Sequence, residues 1–497
     1  MNKFYITTPI YYVNANPHIG HAYTTIASDI LARAHKSWGE KVFFLTGTDE
    51  HGVKILRSVL DFGEKRLKIK DKKYNSKLKD IKDYTDNISQ EFKNTWKLLN
   101  IEYDYFVRTT DENHEKFVQE FLTQLYKKGD IYKGIYEGLY CVGCEEYKKA
   151  EDLENGECPI HKKPVETIKE EVYFFKLSQY QSKIIQLIES DQVKIRPFER
   201  KNEVLGFLQH KLEDTAITRS KVEWGIPVPW DEKQTIYVWV DALLNYLSVV
   251  ENPKFETQKP KLKEFWSPDL QLIGKDILRF HAVIWLGLLL SAKLKLPKQL
   301  YVHGFFTINK QKMSKSLGNV ITIQELITKY GLDATRYLLI SSFPFGKDGN
   351  FSFEELDRRY ESELANELGN LVQRTVVLAK KLEVKFNPKN PDYCKKIQIK
   401  LKNIDFSGAL QIIRNRIIKA NQFVNKTKPW EFQDKISKSR DKKQKEIYQK
   451  ELNSILNTLL QKVEKIAIDL ASFMPDTSKI ILAQLTTQNP IPLFPKK

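Results

Sequence analysis

FYITTPIYYVNANPHIGHAY, residues 4–23, changes character halfway along. Phe4 to Ile10 is rich in β-favouring side chains and predicts a strand. Asn16 suits a helix N-cap and Pro17 the first helical position, where a missing N–H costs nothing. The stretch therefore reads as strand, short turn and helix entry, with His18, Gly20 and His21 in the first turn. Unsatisfied backbone N–H groups and the positive end of the helix dipole favour an anion there, above all phosphate. The two imidazoles share one helix face, and the glycine between them leaves room for a flat or bulky ligand. Taken alone, such a pair suits ordinary surface or capping histidines equally well.

A second stretch lies roughly 290 residues further on. Lys312 to Ser316 reads KMSKS, followed by Leu317, Gly318 and Asn319. Two lysines three apart, interleaved with hydroxyls and near a glycine, make a cationic loop able to clamp a triphosphate. PHIGH and KMSKS, in this order and at this separation, resemble the two signature motifs of class I aminoacyl-tRNA synthetases.

With 497 residues the chain has room for two to four domains, since single cores rarely grow past about 250–300 residues. Its formal charge is +17 and its pI about 9.3, which suggests a polyanionic partner. Residues 371–497 carry a net +15 and form the most basic region. Met1 to Tyr12 lacks the basic start and apolar core of a signal peptide. The longest nearly apolar run, Ala282 to Ala292, falls short of the about 20 residues a bilayer span needs. Four cysteines in so long a chain make no disulfide framework. The expected setting is the reducing cytoplasm, with no membrane partner.

Taken in order, Lys41 to Asp49 (KVFFLTGTD) reads as a buried parallel strand, and strand–helix–strand in about 50 residues is a βαβ unit whose ligands bind at strand carboxyl ends. Asp49 at such an end suits an ammonium group, or equally the cap of the next helix. Residues 64–84 are highly charged and carry no assignable chemistry. From Lys116 the pattern is helical. Cys141, Cys144, Cys158 and His161 follow as C-x2-C, thirteen residues, C-x2-H, four ligands in two tight pairs suited to a closed tetrahedral Zn²⁺ site. Such a site is structural, and residues 138–165 read as a zinc knuckle. Ile236 to Asp241 (IYVWVD) predicts a strand and Ala242 to Val250 a helix bearing Tyr246. Leu270 to Ile273 predicts another strand, and Asp276 to Leu290 an apolar helix with Phe280, His281 and Trp285. Core packing alone would account for Trp239, Phe280 and Trp285.

PIYYVNANPHIGHAY, GTDEHG, YVWVDALLNYL and LIGKDILRFHAVIW, with the cysteine spacing, resemble the methionyl-tRNA synthetase family over nearly the whole chain. The resemblance implies that Ile10, Tyr12, Asp49, Trp239, Tyr246, Ile277 and His281 line a methionine site. An aspartate would pair with the α-ammonium, aromatic walls would meet a polarizable thioether, and a tyrosine hydroxyl would report the sulfur. Leu243 stands where some relatives have proline.

The resemblance further implies attack of the methionine carboxylate on the α-phosphate of ATP, with His18, Gly20, His21 and Lys315 binding ATP. His18, His21, Lys312 and Lys315 would act in catalysis, and Mg²⁺ would neutralise the departing pyrophosphate. The terminal adenosine of tRNA(Met), initiator tRNA included, then takes the aminoacyl group. Ser352 and Glu355 read as a capping box. Asn370 and Arg374 share a helix face beyond it and Trp430 follows NKTKP; the pair alone suits a solvated stripe, but family-matched positions imply anticodon contacts by stacking and base-edge bonds.

The expected fold is α/β: a split Rossmann-type catalytic domain (1–115 and 226–300), an inserted connective domain with the knuckle (116–225), a KMSKS region (301–350) and a C-terminal α-helical anticodon-binding bundle (351–497). The expected state is a monomer. Isoleucyl, valyl and leucyl enzymes would carry a larger editing insertion, a cysteinyl enzyme would use its zinc in the amino-acid pocket, and a silent RNA-binding protein would not need the full His18, His21, Lys312 and Lys315 set.

Overall fold

The computed structural model describes residues 2–66, 74–160, 162–220, 222–251, 262–308, 311–312, 321–389 and 391–495. They fall into two compact units, one of Met1–Pro17, Lys41–Lys97 and Ile101–His303, the other of His18–Glu40, Leu98–Asn100 and Gly304–Lys497.

The first unit is built on a six-stranded sheet of β1 (Lys3–Tyr12), β2 (Lys41–Asp49), β3 (Tyr105–Arg108), β4 (Lys194–Arg196), β5 (Leu270–Gly274) and β6 (Gln299–His303), in the order β3-β2-β1-β5-β6-β4. Every neighbouring pair is parallel. Phe4 to Pro9 and Phe43 to Asp49 are buried without interruption, as parallel strands covered on both faces must be. Gly47 is demanded by β3, because a Cβ there would lie 2.1 Å from the Val107 carbonyl oxygen. The strand order reverses between β1 and β5, and in open parallel sheets ligands bind at such a switch point, beyond the strand carboxyl ends. Register places Tyr12 opposite Asp49 and Ile10 opposite Gly47.

Between the two halves of the sheet runs an antiparallel hairpin, Ile131–Cys141 with Glu166–Phe175, extended by Glu146–Lys148. Its far end carries the cysteines. One expectation is corrected here: the strand ends at Ile236, and Val238–Ser248 is the helix, so Trp239 and Asp241 are helical. All of Val238–Ser248 is buried, and a helix enclosed on every side overrides the β preference of its valines and tryptophan. The segment after β5 is also less regular than a single helix, running as a 3₁₀ turn Lys275–Ile277, a π turn Phe280–Trp285 and an α-helix Leu286–Ser291.

The second unit begins with α1 (Ile19–Ser37). Its N-cap is His18, not Asn16, so Pro17 stands before the helix. The imidazole takes over the capping role: His18 Nδ1 accepts from Gly20 N at 3.1 Å and His21 Nδ1 accepts from His18 N at 3.2 Å. Ser352 caps Phe353–Arg359 by accepting from Glu355 N, but the Glu355 carboxylate turns to Arg358 and Arg359 instead of closing a box. Helices Asn370–Lys381, Phe406–Thr427, Lys442–Leu470 and Pro475–Thr487 follow, the third seamed by Leu452, Leu456, Leu459 and Val463 at helical spacing. Among the described residues no helix is long and apolar enough to cross a membrane.

Arg336 ties this unit together from a fully buried position. It donates to Asp29 Oδ2 at 2.6 Å and to the carbonyls of Leu99, Ser472 and Phe473 at 3.0, 3.3 and 3.0 Å. Asp29, equally buried, also accepts from Arg33 Nε at 2.7 Å. Removing one member of such a pair leaves a buried charge uncompensated, at a cost of about 3–5 kcal/mol. Asp29→Ala is therefore expected to lower the urea midpoint of this unit by a corresponding amount, and a midpoint shift below about 1 kcal/mol equivalent would mean that water entering the site relieves Arg336.

Candidate active site and metal centre

Ile10 and Tyr12 come from the end of β1, Asp49 from the end of β2, Trp239 and Tyr246 from α2 (Val238–Ser248), and Ile277 and His281 from the turns after β5. All seven belong to the first unit. The Tyr12 and Trp239 rings meet edge-on at 6.1 Å, and Trp239 stacks on Phe280 at 3.9 Å. Tyr246 Oη lies 2.8 Å from His281 Nε2, while His281 Nδ1 lies 3.0 Å from the Ile277 carbonyl. The carbonyl can only accept, so Nδ1 carries the proton and Nε2 accepts from the tyrosine. Burial drives the His281 pKa down to about 4. The pair is thus polar but uncharged.

Asp49 has the opposite character. Its Oδ1 is buried with no hydrogen-bond partner, and burial, aided by the nearby charges of Asp241 and Glu145, pushes its carboxyl well above the usual carboxylate range. A buried acceptor left unpaired costs about 1–3 kcal/mol or more, a cost that a cationic ligand would remove. Around it stand groups that motif reading left unassigned. Asp241 bridges His51 Nδ1 and His114 Nε2, each at 2.7 Å. Burial opposes its ionisation, yet the two imidazoles outweigh that and hold its carboxyl below the usual range. Glu50 is clamped by Arg108 through two 2.7 Å bonds. His51 and Glu50 sit in GTDEHG and Asp241 in YVWVDALLNYL, so the motifs contained them, but a partner 190 residues away along the chain cannot be read from a motif.

In the second unit the His18 and His21 rings stack at 3.8 Å. Because both Nδ1 atoms accept from backbone N–H, the proton of each neutral ring sits on Nε2. Gly20 serves the cap more than a ligand: a Cβ there would lie 2.9 Å from the His18 ring. The same turn meets the strand leading into KMSKS. Phe306 lies 3.7 Å from the place a Gly20 Cβ would take and packs edge-on against Tyr23 at 4.6 Å. Strand Phe306–Ile308 pairs with Gln311–Lys312, Thr307 opposite Lys312. His18–His21 and the strand entering KMSKS therefore belong to one unit. Lys315 lies outside the described residues, as does the side chain of Lys312.

Cys141, Cys144 and Cys158 converge, their sulfurs all within 4.8 Å of one another. Cys144 and Cys158 sulfurs are 3.6 Å apart, far beyond a disulfide bond of about 2.05 Å. That separation is close to the edge of about 3.8 Å in a tetrahedron with metal–sulfur bonds of about 2.3 Å. Three thiols so placed fit a soft tetrahedral ion. His161 lies outside the described residues. At the far end of the chain Arg374 places its guanidinium 5.5 Å from the ring centre of Trp430, which is 42% exposed, and donates to Asn425 at 3.2 Å. Asn370 is exposed at the start of its helix.

A sheet reversed at the β1–β5 switch point, a His-capped helix start and the KMSKS entry in contact with it define a class I aminoacyl-tRNA synthetase. A family model described as tRNA synthetases class I (M) matches residues 4–162 and 144–376. The methionine–tRNA ligase of Streptomyces coelicolor is 41% identical over 96% of this chain and 88% of its own, and that of Thermotoga maritima 41% over 97% and 75%. The solved structure of Mycobacterium tuberculosis methionyl-tRNA synthetase in complex with methionyl-adenylate superposes with a TM-score of 0.86 at 32% identity, covering 100% of this chain and 99% of that one. The chain belongs to the methionyl-tRNA synthetase family.

The His281 pKa has a consequence for stability. Lowered from 6.5 to about 4, it makes the folded state bind fewer protons than the unfolded one between these values. The corresponding stability is complete above about pH 6.5 and is lost as pH falls towards 4. His281→Gln is expected to flatten the fall in denaturant midpoint across pH 6.5–4, and an unchanged slope would show that His281 titrates normally.

Proposed function

We propose that the buried crevice of the first unit holds methionine, with Asp49 pairing with its α-ammonium, Ile10, Tyr12, Trp239 and Ile277 enclosing its side chain, and the Tyr246–His281 pair facing the thioether. The observation that carries this reading is the unpartnered, buried Asp49 Oδ1 opposite Tyr12. A thioether is polarizable and a weak acceptor, so aromatic faces and one neutral polar contact suit it better than charge. His281, neutral above about pH 4, supplies no charge at working pH.

The chain is a methionine–tRNA ligase, which activates methionine with ATP and transfers it to tRNA. In the first step the methionine carboxylate attacks the α-phosphate in line and pyrophosphate leaves. The start of α1 would take the phosphates through backbone N–H groups and the dipole, with Gly20 and the Nε2–H donors of His18 and His21 beside them. Lys312 and Lys315 would close on the departing pyrophosphate. No side chain acts as a nucleophile; positioning and charge do the work. Bound Mg²⁺ would neutralise phosphate charge. Zn²⁺ would be held by Cys141, Cys144, Cys158 and, from the spacing, His161, closing the knuckle without joining the chemistry. In the second step the 3′-terminal adenosine of tRNA(Met), initiator tRNA included, receives the aminoacyl group. Asn370, Arg374 and Trp430 would read the anticodon, Trp430 by stacking, its ring already faced by Arg374.

ATP–pyrophosphate exchange with methionine, isoleucine, leucine, valine and cysteine tests the pocket. Methionine should dominate, and preference for another amino acid would overturn the roles of Tyr12, Trp239 and His281. Lys315→Ala should slow adenylate formation by about 10²-fold or more with methionine binding retained; unchanged single-turnover adenylate formation would remove Lys315 from the reaction. Trp430→Ala should weaken tRNA charging and spare exchange, whereas equal loss of both would assign Trp430 to folding.

A further inference from the structure

The residue directly after Cys144 is the least explained in the metal-bearing loop. Glu145 adopts φ +50, a left-handed conformation uncommon for a side-chain-bearing residue, and is fully buried. Its carboxylate accepts from Tyr12 Oη at 3.0 Å and from Lys54 N at 2.7 Å. The fit is close: a Cβ on Gly52, itself at φ +102, would lie 2.5 Å from Glu145 Oε1. The Glu145 carbonyl accepts from Tyr237 Oη, one residue before α2. Two neighbours extend the grip. The Cys144 carbonyl accepts from Trp239 Nε1 at 3.2 Å, and the Gly143 carbonyl accepts from Lys54 Nζ at 3.3 Å, which also stands 4.7 Å from the Tyr12 ring centre.

We infer that Glu145 is a positioning residue for methionine: it fixes Tyr12 from the cysteine loop, so that the pocket wall is set by the loop that holds the metal. The inference rests on the reading of Tyr12 as a wall of the methionine site. Residues 143–145 touch both aromatic walls, Glu145 through the Tyr12 hydroxyl and Cys144 through the Trp239 indole. Glu145 therefore acts on the ligand through Tyr12. A carboxylate is suited to this because it accepts two bonds at once, one from the hydroxyl and one from the backbone at the start of helix Val53–Arg66.

The test is a double-mutant cycle of Glu145→Ala and Tyr12→Phe, read by calorimetric methionine and ATP binding, with metal content measured on each protein. Glu145→Ala is expected to weaken methionine binding about tenfold, with ATP binding within twofold and metal content unchanged, and to add little in the Tyr12→Phe background. Glu145→Gln, whose amide oxygen can still accept from Lys54 N while its NH2 donates to Tyr12 Oη, should lose less than about threefold. Normal methionine binding in Glu145→Ala but weakened binding in Tyr12→Phe would overturn the inference and leave the pocket reading standing. Normal binding in both would show that the Tyr12–Glu145 bond does not set the pocket wall and would likewise overturn the inference, while normal binding in Tyr12→Ala would overturn the reading of Tyr12 itself. Additive losses, or loss of metal with methionine and ATP binding falling together in both Glu145 variants, would make Glu145 a structural residue of the loop.

Discussion

The pairing of β1 with β5 is the constraint on which the first unit depends. Ile6 lies opposite Leu270 and Thr7 opposite Gln271, strands separated by more than half the chain. Tyr5 secures the join on three sides: its N–H donates to Asp269 Oδ2 at 2.7 Å, its carbonyl accepts from Asp269 N at 2.9 Å, and its hydroxyl donates to the Tyr246 carbonyl at 2.8 Å. Closing so long a loop is less costly than its length suggests, since each doubling adds only about 0.6 kcal/mol. The sheet can therefore be interrupted by a whole hairpin and still close. Closure brings the ends of β1 and β2 to the turns after β5, and no shorter path along the chain would do so.

That closure also separates two electrostatic tasks within one unit. Asp49 keeps an unpaired oxygen in a buried setting, while its neighbour Asp241 is held ionised by His51 and His114. Two carboxylates near one another cannot both bear charge cheaply at low dielectric. Partnering Asp241 with two imidazoles fixes which of them is already compensated, and leaves Asp49 as the one that gains from an incoming cation.

The strands expected at Lys41–Asp49 and Leu270–Ile273 and the convergence of Cys141, Cys144 and Cys158 were legible in the sequence because each is carried by short local stretches, whereas the seven proposed pocket positions follow from the family resemblance. What was not legible depended on contacts distant along the chain. VWV in a β-favouring run folds as helix because its whole surface is enclosed, which local propensity does not encode. Asn16 and Pro17 form a good local helix start, yet His18 takes the cap, because its ring can accept from Gly20 N only where glycine leaves the space. The single helix expected after β5 breaks into 3₁₀ and π turns, and the π turn is the one that bears His281. Irregular turns of this kind are frequent at functional sites and leave no periodicity to detect.

The Tyr246–His281 pair bears on selectivity. Burial keeps the imidazole neutral, and the Ile277 carbonyl fixes its tautomer so that the tyrosine must donate to it. The hydroxyl proton is thus committed, and what Tyr246 offers to the crevice is an oxygen on an aromatic ring. On the proposed reading, a ligand atom beside it gains from polarizability and from weak contacts, not from a strong hydrogen bond. A thioether meets that description. An aliphatic isostere forfeits the sulfur contact, worth about 0.3–1.5 kcal/mol, and a hydroxyl-bearing side chain would be buried without a full partner at about 1–3 kcal/mol. Shape must supply the rest, which is why the fixed placement of Tyr12 and Trp239 by residues 143–145 matters as much as the polar pair.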